Sequence, residues 1–139
     1  MSFQPSTFIR TARHLSAIPK SDAHANAHYR TAAGRCYYAV YGYLSERLCT
    51  GKGTTRKALF GTSGRHSDLS AALARAPAGI KRASPGFTAL LFARVRSDYD
   101  YTASGDIGLA EIGSLIKTAE DVLVKLGAVQ DKDFGSLLF

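Results

Sequence analysis

Cysteine is scarce in this chain, and the two that occur do not suit a disulfide. Cys36 and Cys49 are the only cysteines among 139 residues, and they lie 13 positions apart in one predicted helix. At about 1.5 Å per residue their separation is roughly 20 Å, far beyond the ~7 Å that a disulfide can span. They also lack the histidine spacing of a zinc site. We therefore expect two free cysteines that serve as packing residues.

Long apolar runs and export signals are missing as well. No window approaches the ~18 uninterrupted apolar residues that a membrane-spanning helix needs. The first residues, Met1-Ser2-Phe3-Gln4-Pro5, lack the basic-then-apolar layout of a secretory signal. We expect a cytoplasmic protein without membrane contact.

What the chain does have is positive charge. Its formal net charge is +7, while 45% of its residues are hydrophobic and 21% are charged, which is a globular composition. The excess of Lys and Arg favours acidic partners, nucleic acid above all. Basic residues are nevertheless spread along the chain, with local concentrations at 52–57 and 78–82.

Glycine, proline and serine divide the chain into segments with helical periodicity, and no segment alternates as a strand does. Suitable capping residues precede three of these segments: Ser21 or Asp22, Ser84 and Ser104. We predict loops at 50–64 and 76–83, and helices over about 6–18, 22–49, 67–75, 84–101 and 105–126.

These segments predict an all-α fold, an up-and-down bundle of four to five helices. At this length the chain should form a single domain, residues 1–139, with its core at about 6–127. The tail, 128–139, is apolar and should dock on the bundle.

Two features favour a homodimer. Gly34 and Gly42 lie two turns apart in the long helix, where close approach of another backbone would offset their helix cost of about 1 kcal/mol each. The last helix carries an apolar seam with coiled-coil spacing: Leu109, Ile112, Ile116, Ala119, Leu123 and Leu126.

The most unusual segment of the chain is residues 94–101, at the end of the fourth helix. It reads Arg94-Val95-Arg96-Ser97-Asp98-Tyr99-Asp100-Tyr101. Arg94 and Asp98 are four apart, as are Arg96 and Asp100, so each pair can meet on a helical surface. The plainer interpretation is a surface ion pair beside packed tyrosines.

Together with two earlier motifs, this segment resembles the HEPN superfamily, and most closely its small stand-alone prokaryotic members. The resemblance covers about residues 25–127 and is carried, in chain order, by Arg35, Tyr37, Tyr38, Ala39, His66, Arg94, Asp98, Tyr99 and Asp100. It implies a helical bundle that pairs through a two-fold interface, and no cofactor. Active members are metal-independent ribonucleases, including toxins and antiphage effectors, and some are encoded beside a nucleotidyltransferase-type antitoxin partner.

The family's catalytic signature is an arginine followed, after four to six residues, by a histidine. Arg94 aligns with the arginine of this signature, and Tyr101 aligns with a tyrosine that toxin members carry. The position of the catalytic histidine is occupied by Tyr99. An imidazole titrates near pH 6.5 and a phenol near pH 10, so Tyr99 is a poor proton carrier at pH 7. The motif therefore suits binding an anion better than cleaving RNA rapidly.

Three functions remain open from the sequence: a dimeric module that binds RNA, a nucleotide or a protein partner; an endoribonuclease with an atypical acid–base group; and a non-catalytic interaction subunit.

The candidate catalytic residues are Arg94, Tyr99, Tyr101 and His66. The alternative is that His66 has only a structural role, at the start of the third helix. The candidate ligand-binding residues are Arg35, Tyr38, Arg94, Arg96 and Asp98, although Arg35 could instead pair with an aspartate. His24 and His28 lack the supporting ligands of a metal site.

Overall fold

Helix α2 (Ala25–Lys52) is the axis of the fold in the computed structural model, which describes residues 3–138. Its buried residues occupy several faces, so it is enclosed by other helices rather than lying on the surface. The remaining elements are α1 (Pro5–Ser16), α3 (Arg56–Phe60), α4 (His66–Ala74), α5 (Ala78–Lys81), α6 (Ser84–Tyr99), a 3-10 turn (Ala103–Gly105), α7 (Leu109–Gly127) and α8 (Asp131–Gly135).

The all-α prediction is confirmed, and residues 3–138 contain no strand. Helices α1, α6, α7 and α8 all pack on α2. Among the same residues, no helix is both long and apolar enough to cross a membrane.

Several predicted boundaries are wrong because local hydrogen bonds differ from the expected caps. Both predicted loops contain a short helix, and the Thr55 hydroxyl caps α3 by accepting from the Ala58 N–H at 3.2 Å. Ser104 lies in the 3-10 turn, and α7 begins only after Gly108. The fourth predicted helix, α6, ends at Tyr99, before Tyr101.

The two features that favour a dimer are used differently in the folded chain. Most of the α7 seam is buried within the chain's own core, including Ile112, Ala119 and Leu126. A side chain at Gly42 would lie 2.5 Å from the Phe3 ring, so this glycine accommodates the chain's own N-terminal segment. Gly34 has open space beside it, since no atom of another described element would lie within 4 Å of a side chain there. Of the two glycines, only Gly34 therefore leaves room for the approach of another chain.

The tail docks through residues 134 and 137 and extends the core beyond residue 127, while Leu138 is 81% exposed and residue 139 of the predicted tail lies outside the described residues. Phe134 and Leu137 are buried. The α8 backbone touches the end of α2, where a side chain at Gly51 would lie 2.7 Å from the Gly135 nitrogen. Arg47 secures the contact by pairing with Asp131 at 2.7 Å and lying over the Phe134 ring at 4.5 Å.

Both cysteines are free, as predicted, and both lie on α2. Cys36 is completely buried, and this burial raises the pKa of its thiol to about 12. Cys49 is partly exposed. The two thiols therefore differ strongly in accessibility.

Candidate anion-binding site

Arg94 is the centre of the candidate site, and three tyrosines hold its guanidinium. The guanidinium carbon lies 5.5 Å from the ring centre of Tyr38, 5.7 Å from that of Tyr37 and 6.0 Å from that of Tyr99. Its side chain is only 13% exposed, and its Nε donates to Asp98 at 3.1 Å. Cation–π contacts strengthen when the cation is desolvated, so this arginine is held in a fixed orientation.

The rest of the Arg94 fork is free for a ligand. Within residues 3–138, hydrogen bonding engages Arg94 through Nε alone. A guanidinium offers five N–H donors in a planar fork, which suits bidentate binding of a phosphate or carboxylate. The site can therefore hold an anion without first breaking the pair with Asp98.

His66 is brought beside Arg94 by a strained turn. It is the first residue of α4 and follows Gly64 and Arg65, whose φ angles are 75° and 50°. A side chain at Gly64 would lie 2.7 Å from His66 Nε2, so only glycine fits this turn. The Tyr41 hydroxyl fixes the turn by donating to the Gly64 carbonyl at 2.7 Å.

Tyrosines of α2 orient the His66 ring. Nδ1 lies 2.6 Å from the Tyr37 hydroxyl, and the ring centre lies 4.6 Å from that of Tyr41. Burial raises the pKa of Tyr37 well above its ordinary value, so Tyr37 stays a neutral phenol. The Tyr37 hydroxyl can donate to Nδ1, in which case the imidazole proton is on Nε2. Alternatively it accepts from Nδ1–H, and Nε2 is then unprotonated.

His66 and Arg94 line one open cleft of about 460 Å³ between α4 and α6. Its polar walls also include Arg65, two serines and Asp68, and its apolar wall comes from α6: Leu91, Phe92 and Val95. Arg65 pairs with Asp68 at 3.0 Å, so the cleft is lined by Arg94, this ion pair, hydroxyls and an imidazole. Such a mixture can bind a phosphate and the sugar attached to it.

The proximity of Arg94 affects the titration of His66. Burial lowers the pKa of His66 from 6.5, and the positive charge of Arg94 lowers it further. The unfolded chain therefore binds this proton more tightly than the folded chain. His66 is neutral at pH 7, and its protonation destabilises the fold as the pH falls below about 6.5.

We expect Arg94→Met to raise the pKa of His66, because the substitution removes the nearby positive charge and keeps an apolar side chain of similar length. An NMR titration of the imidazole carbon-bound protons, assigned with His66→Gln, measures the change. Arg96→Met is the matched control, since Arg96 pairs with Glu111 on α7. An unchanged His66 titration in Arg94→Met would contradict this electrostatic coupling.

The structure brings five of the sequence candidates together: Arg94, Asp98, Tyr99, Tyr38 and His66. His66 has its predicted structural position at the start of α4, and it also lines the cleft. The prediction that Arg94 and Asp98 pair is confirmed.

The other three candidates lie elsewhere. Arg96 pairs with Glu111 instead of Asp100, because it faces α7, and its buried Nε has no hydrogen-bond partner among residues 3–138. Arg35 lies over the Phe8 ring at 5.3 Å, on the α1 side of the bundle. Tyr101 is 86% exposed and follows the end of α6.

Arg30, which has no role in the sequence motifs, holds the end of α6 in place. Its guanidinium donates to the carbonyl of Ser97 at 3.1 Å and to that of Asp100, and it pairs with Asp106 at 3.1 Å. It thereby satisfies carbonyls that a helix end leaves without partners. A basic residue early in α2 carries no local signal for this contact, which depends on the tertiary arrangement.

No metal centre is indicated by the described part of the chain, where no three His, Cys, Asp or Glu side chains are grouped to hold an ion. Comparison with protein-family models, curated proteins and solved structures gives no match to this chain.

Proposed function

We propose that this protein is a HEPN-type module that binds RNA through the cleft between α4 and α6. The observation that carries the proposal is Arg94: three tyrosine rings surround its guanidinium, and the residue lines an open cleft. A pre-positioned guanidinium loses little entropy when it binds a phosphate.

RNA is favoured over other anions because aromatic rings accompany the cation. Tyr38 is partly exposed, so its ring can stack on an unpaired base beside a phosphate held by Arg94. The net charge of +7 adds long-range attraction to a polyanion.

Arg94→Ala should weaken the binding of fluorescein-labelled single-stranded RNA, measured by fluorescence anisotropy. We expect a loss of about 10- to 100-fold, the equivalent of ~1.5–3 kcal/mol for hydrogen bonds to a charged group. The slope of log affinity against log salt concentration should also become smaller by about one, as expected when one phosphate contact is lost. The control is Arg10→Ala, which removes the same charge from an exposed position on α1. Equal affinities for the two variants would contradict the proposal.

The same proposal includes a homodimer that forms through α6. Phe92, Val95 and Tyr99 follow a helical spacing of three and four, and they are 69%, 41% and 65% exposed. A contiguous exposed apolar stripe of this kind is typical of a protein interface. Because the stripe borders the cleft, a two-fold pairing through it would place two clefts side by side, as the resemblance implies.

We expect a dimer mass by light scattering at about 10 μM and a monomer mass for Phe92→Glu, because two buried like charges would face each other across the two-fold axis. Val124→Glu is the control: Val124 is exposed to a similar degree but lies on α7. A monomer mass for the unmodified protein would rule out this part of the proposal.

The position of His66 favours a second candidate function, a metal-independent endoribonuclease. A histidine in the same cleft as Arg94 could take the proton of a ribose 2′-hydroxyl while the 2′-oxygen attacks the adjacent phosphorus. The bond from phosphorus to the 5′-oxygen of the next nucleotide then breaks, the 5′-oxygen takes a proton from the protonated histidine or from water, and a 2′,3′-cyclic phosphate remains. This role requires the tautomer in which Nδ1–H donates to Tyr37 and Nε2 is free. RNA cleavage in EDTA that His66→Gln removes, with RNA binding retained, would establish it.

A further inference from the structure

A second cavity, of about 850 Å³, opens between α1, α2 and α3. One wall is aromatic: the rings of Phe3 and Phe8 meet edge to face with their centres 5.1 Å apart. The other walls carry the Glu46 carboxylate, hydroxyl groups and the side chain of Arg56. The cavity is therefore apolar inside, with hydrogen-bonding groups and one cation at its edge.

These walls match the chemistry of a nucleotide. A base presents a flat apolar face together with donors and acceptors along its edge, and it carries a phosphate nearby. The Glu46 carboxylate already accepts from the Phe3 N–H, but an aliphatic anion would use only the aromatic wall and Arg56 and would make no use of the hydroxyls. A nucleobase can satisfy both kinds of wall.

Arg56 connects this cavity to the cleft that holds Arg94. Its guanidinium carbon lies 5.6 Å from the Tyr41 ring centre, and the His66 ring is one of the aromatic neighbours of Tyr41, at 4.6 Å. One tyrosine ring thus separates Arg56 from the cleft. Arg56 and the adjacent Lys57 are exposed, and within residues 3–138 neither has a carboxylate partner.

We infer that the cavity between α1, α2 and α3 is a nucleobase subsite for the same RNA strand that binds Arg94. In this arrangement Arg94 holds one phosphate, Arg56 holds a later one, and the base that follows enters the cavity. The ligand is then single-stranded RNA several nucleotides long, since a paired base cannot leave its helix without losing its pairing. This inference rests on the proposed function, because it extends the strand that Arg94 binds.

Cys49 provides a direct probe, because it lines the cavity while Cys36 is completely buried. Alkylation by iodoacetamide at pH 8.5 should therefore modify Cys49 selectively. We expect a saturating single-stranded RNA octamer to slow this reaction about tenfold, and a dinucleotide, which reaches only the cleft, to leave it unchanged. An octamer duplex should give little protection.

Two substitutions test the path of the RNA strand from Arg94 past Arg56 into the cavity, and the affinity for RNA is measured for each. Arg56→Ala should weaken octamer binding about tenfold, as expected for one charged contact, and leave dinucleotide binding unchanged. Thr7→Trp places a large ring at the cavity wall and should produce the same pattern. Their controls are Arg10→Ala and Thr11→Trp, since Arg10 and Thr11 lie on α1 and line neither the cavity nor the cleft.

The outcomes separate this inference from the proposed function. If the octamer binds through Arg94 but neither protects Cys49 nor responds to Arg56→Ala and Thr7→Trp, the base subsite is wrong and the cleft remains. If octamer binding survives Arg94→Ala unchanged, the proposed function is wrong and the inference falls with it.

Discussion

Tyr99→His should give the protein metal-independent RNA cleavage, or raise any that it already has, by about 100-fold or more. The Tyr99 ring lies 6.0 Å from the Arg94 guanidinium, so a histidine at this position can reach a phosphate held there. An imidazole exchanges protons near pH 7, whereas a phenol with a pKa of about 10 does not. General acid–base catalysis typically contributes ~100- to 10,000-fold in rate. The assay is cleavage of a labelled RNA pool in EDTA.

Tyr101→His is the matched control, because it adds the same group at a fully solvated position beyond the helix end. Tyr99→Phe measures what the phenol itself contributes. If the unmodified protein cleaves RNA rapidly and Tyr99→Phe abolishes this, the binding-module proposal is wrong and the enzyme interpretation stands. If Tyr99→His folds and binds RNA but does not cleave it, position 99 is not equivalent to the family's catalytic histidine.

Gly51→Ala should destabilise the fold by about 2–3 kcal/mol, a typical result of overpacking a close contact. The added methyl group would overlap the Asp131 carbonyl oxygen and lie 2.7 Å from the Gly135 nitrogen. Both atoms belong to backbone, so no side-chain rotation relieves the overlap, and α8 has to move away from α2. Urea unfolding monitored by circular dichroism measures the change in the free energy of unfolding. This change corresponds to a Tm decrease of roughly 6–12 °C.

Gly34→Ala serves as the internal comparison for this prediction. Gly34 lies in the same helix, and no atom of another described element would lie within 4 Å of the new methyl group. Replacing glycine by alanine in a helix interior stabilises it by up to about 1 kcal/mol. The two variants should therefore shift the stability in opposite directions. Similar shifts for both would show that the α2–α8 contact adapts to a side chain.

The sequence predicted the helices better than the site, for a physical reason. Helical periodicity is local, and it correctly indicated α2, α6 and α7, together with the pair of Arg94 and Asp98 one turn apart. Arg96 is two residues from Arg94 and so projects from a different side of α6, where the position of α7 decides its partner. No local pattern contains that information.

The approach of His66 to Arg94 also depends on tertiary structure. It requires a turn at Gly64 and Arg65 that reverses the chain in a left-handed conformation. Glycine and serine indicate a loop there but not its direction. The tyrosines of α2 have the spacing of an ordinary core stripe, and only the packed structure shows that Tyr37 and Tyr41 also orient an imidazole.

The two ends of the described chain close on the same stretch of α2. The Phe3 N–H donates to Glu46 at 2.7 Å, and one residue further along Arg47 holds α8 through Asp131. These contacts link residues 43 and 84 positions apart in sequence. Securing the N-terminal segment closes a loop of 43 residues and securing α8 closes one of 84, and contacts this distant in sequence slow folding relative to a bundle with only neighbouring contacts. Glu46 and Arg47 are adjacent in α2, so a distortion of this one turn of the helix would loosen both ends of the described chain.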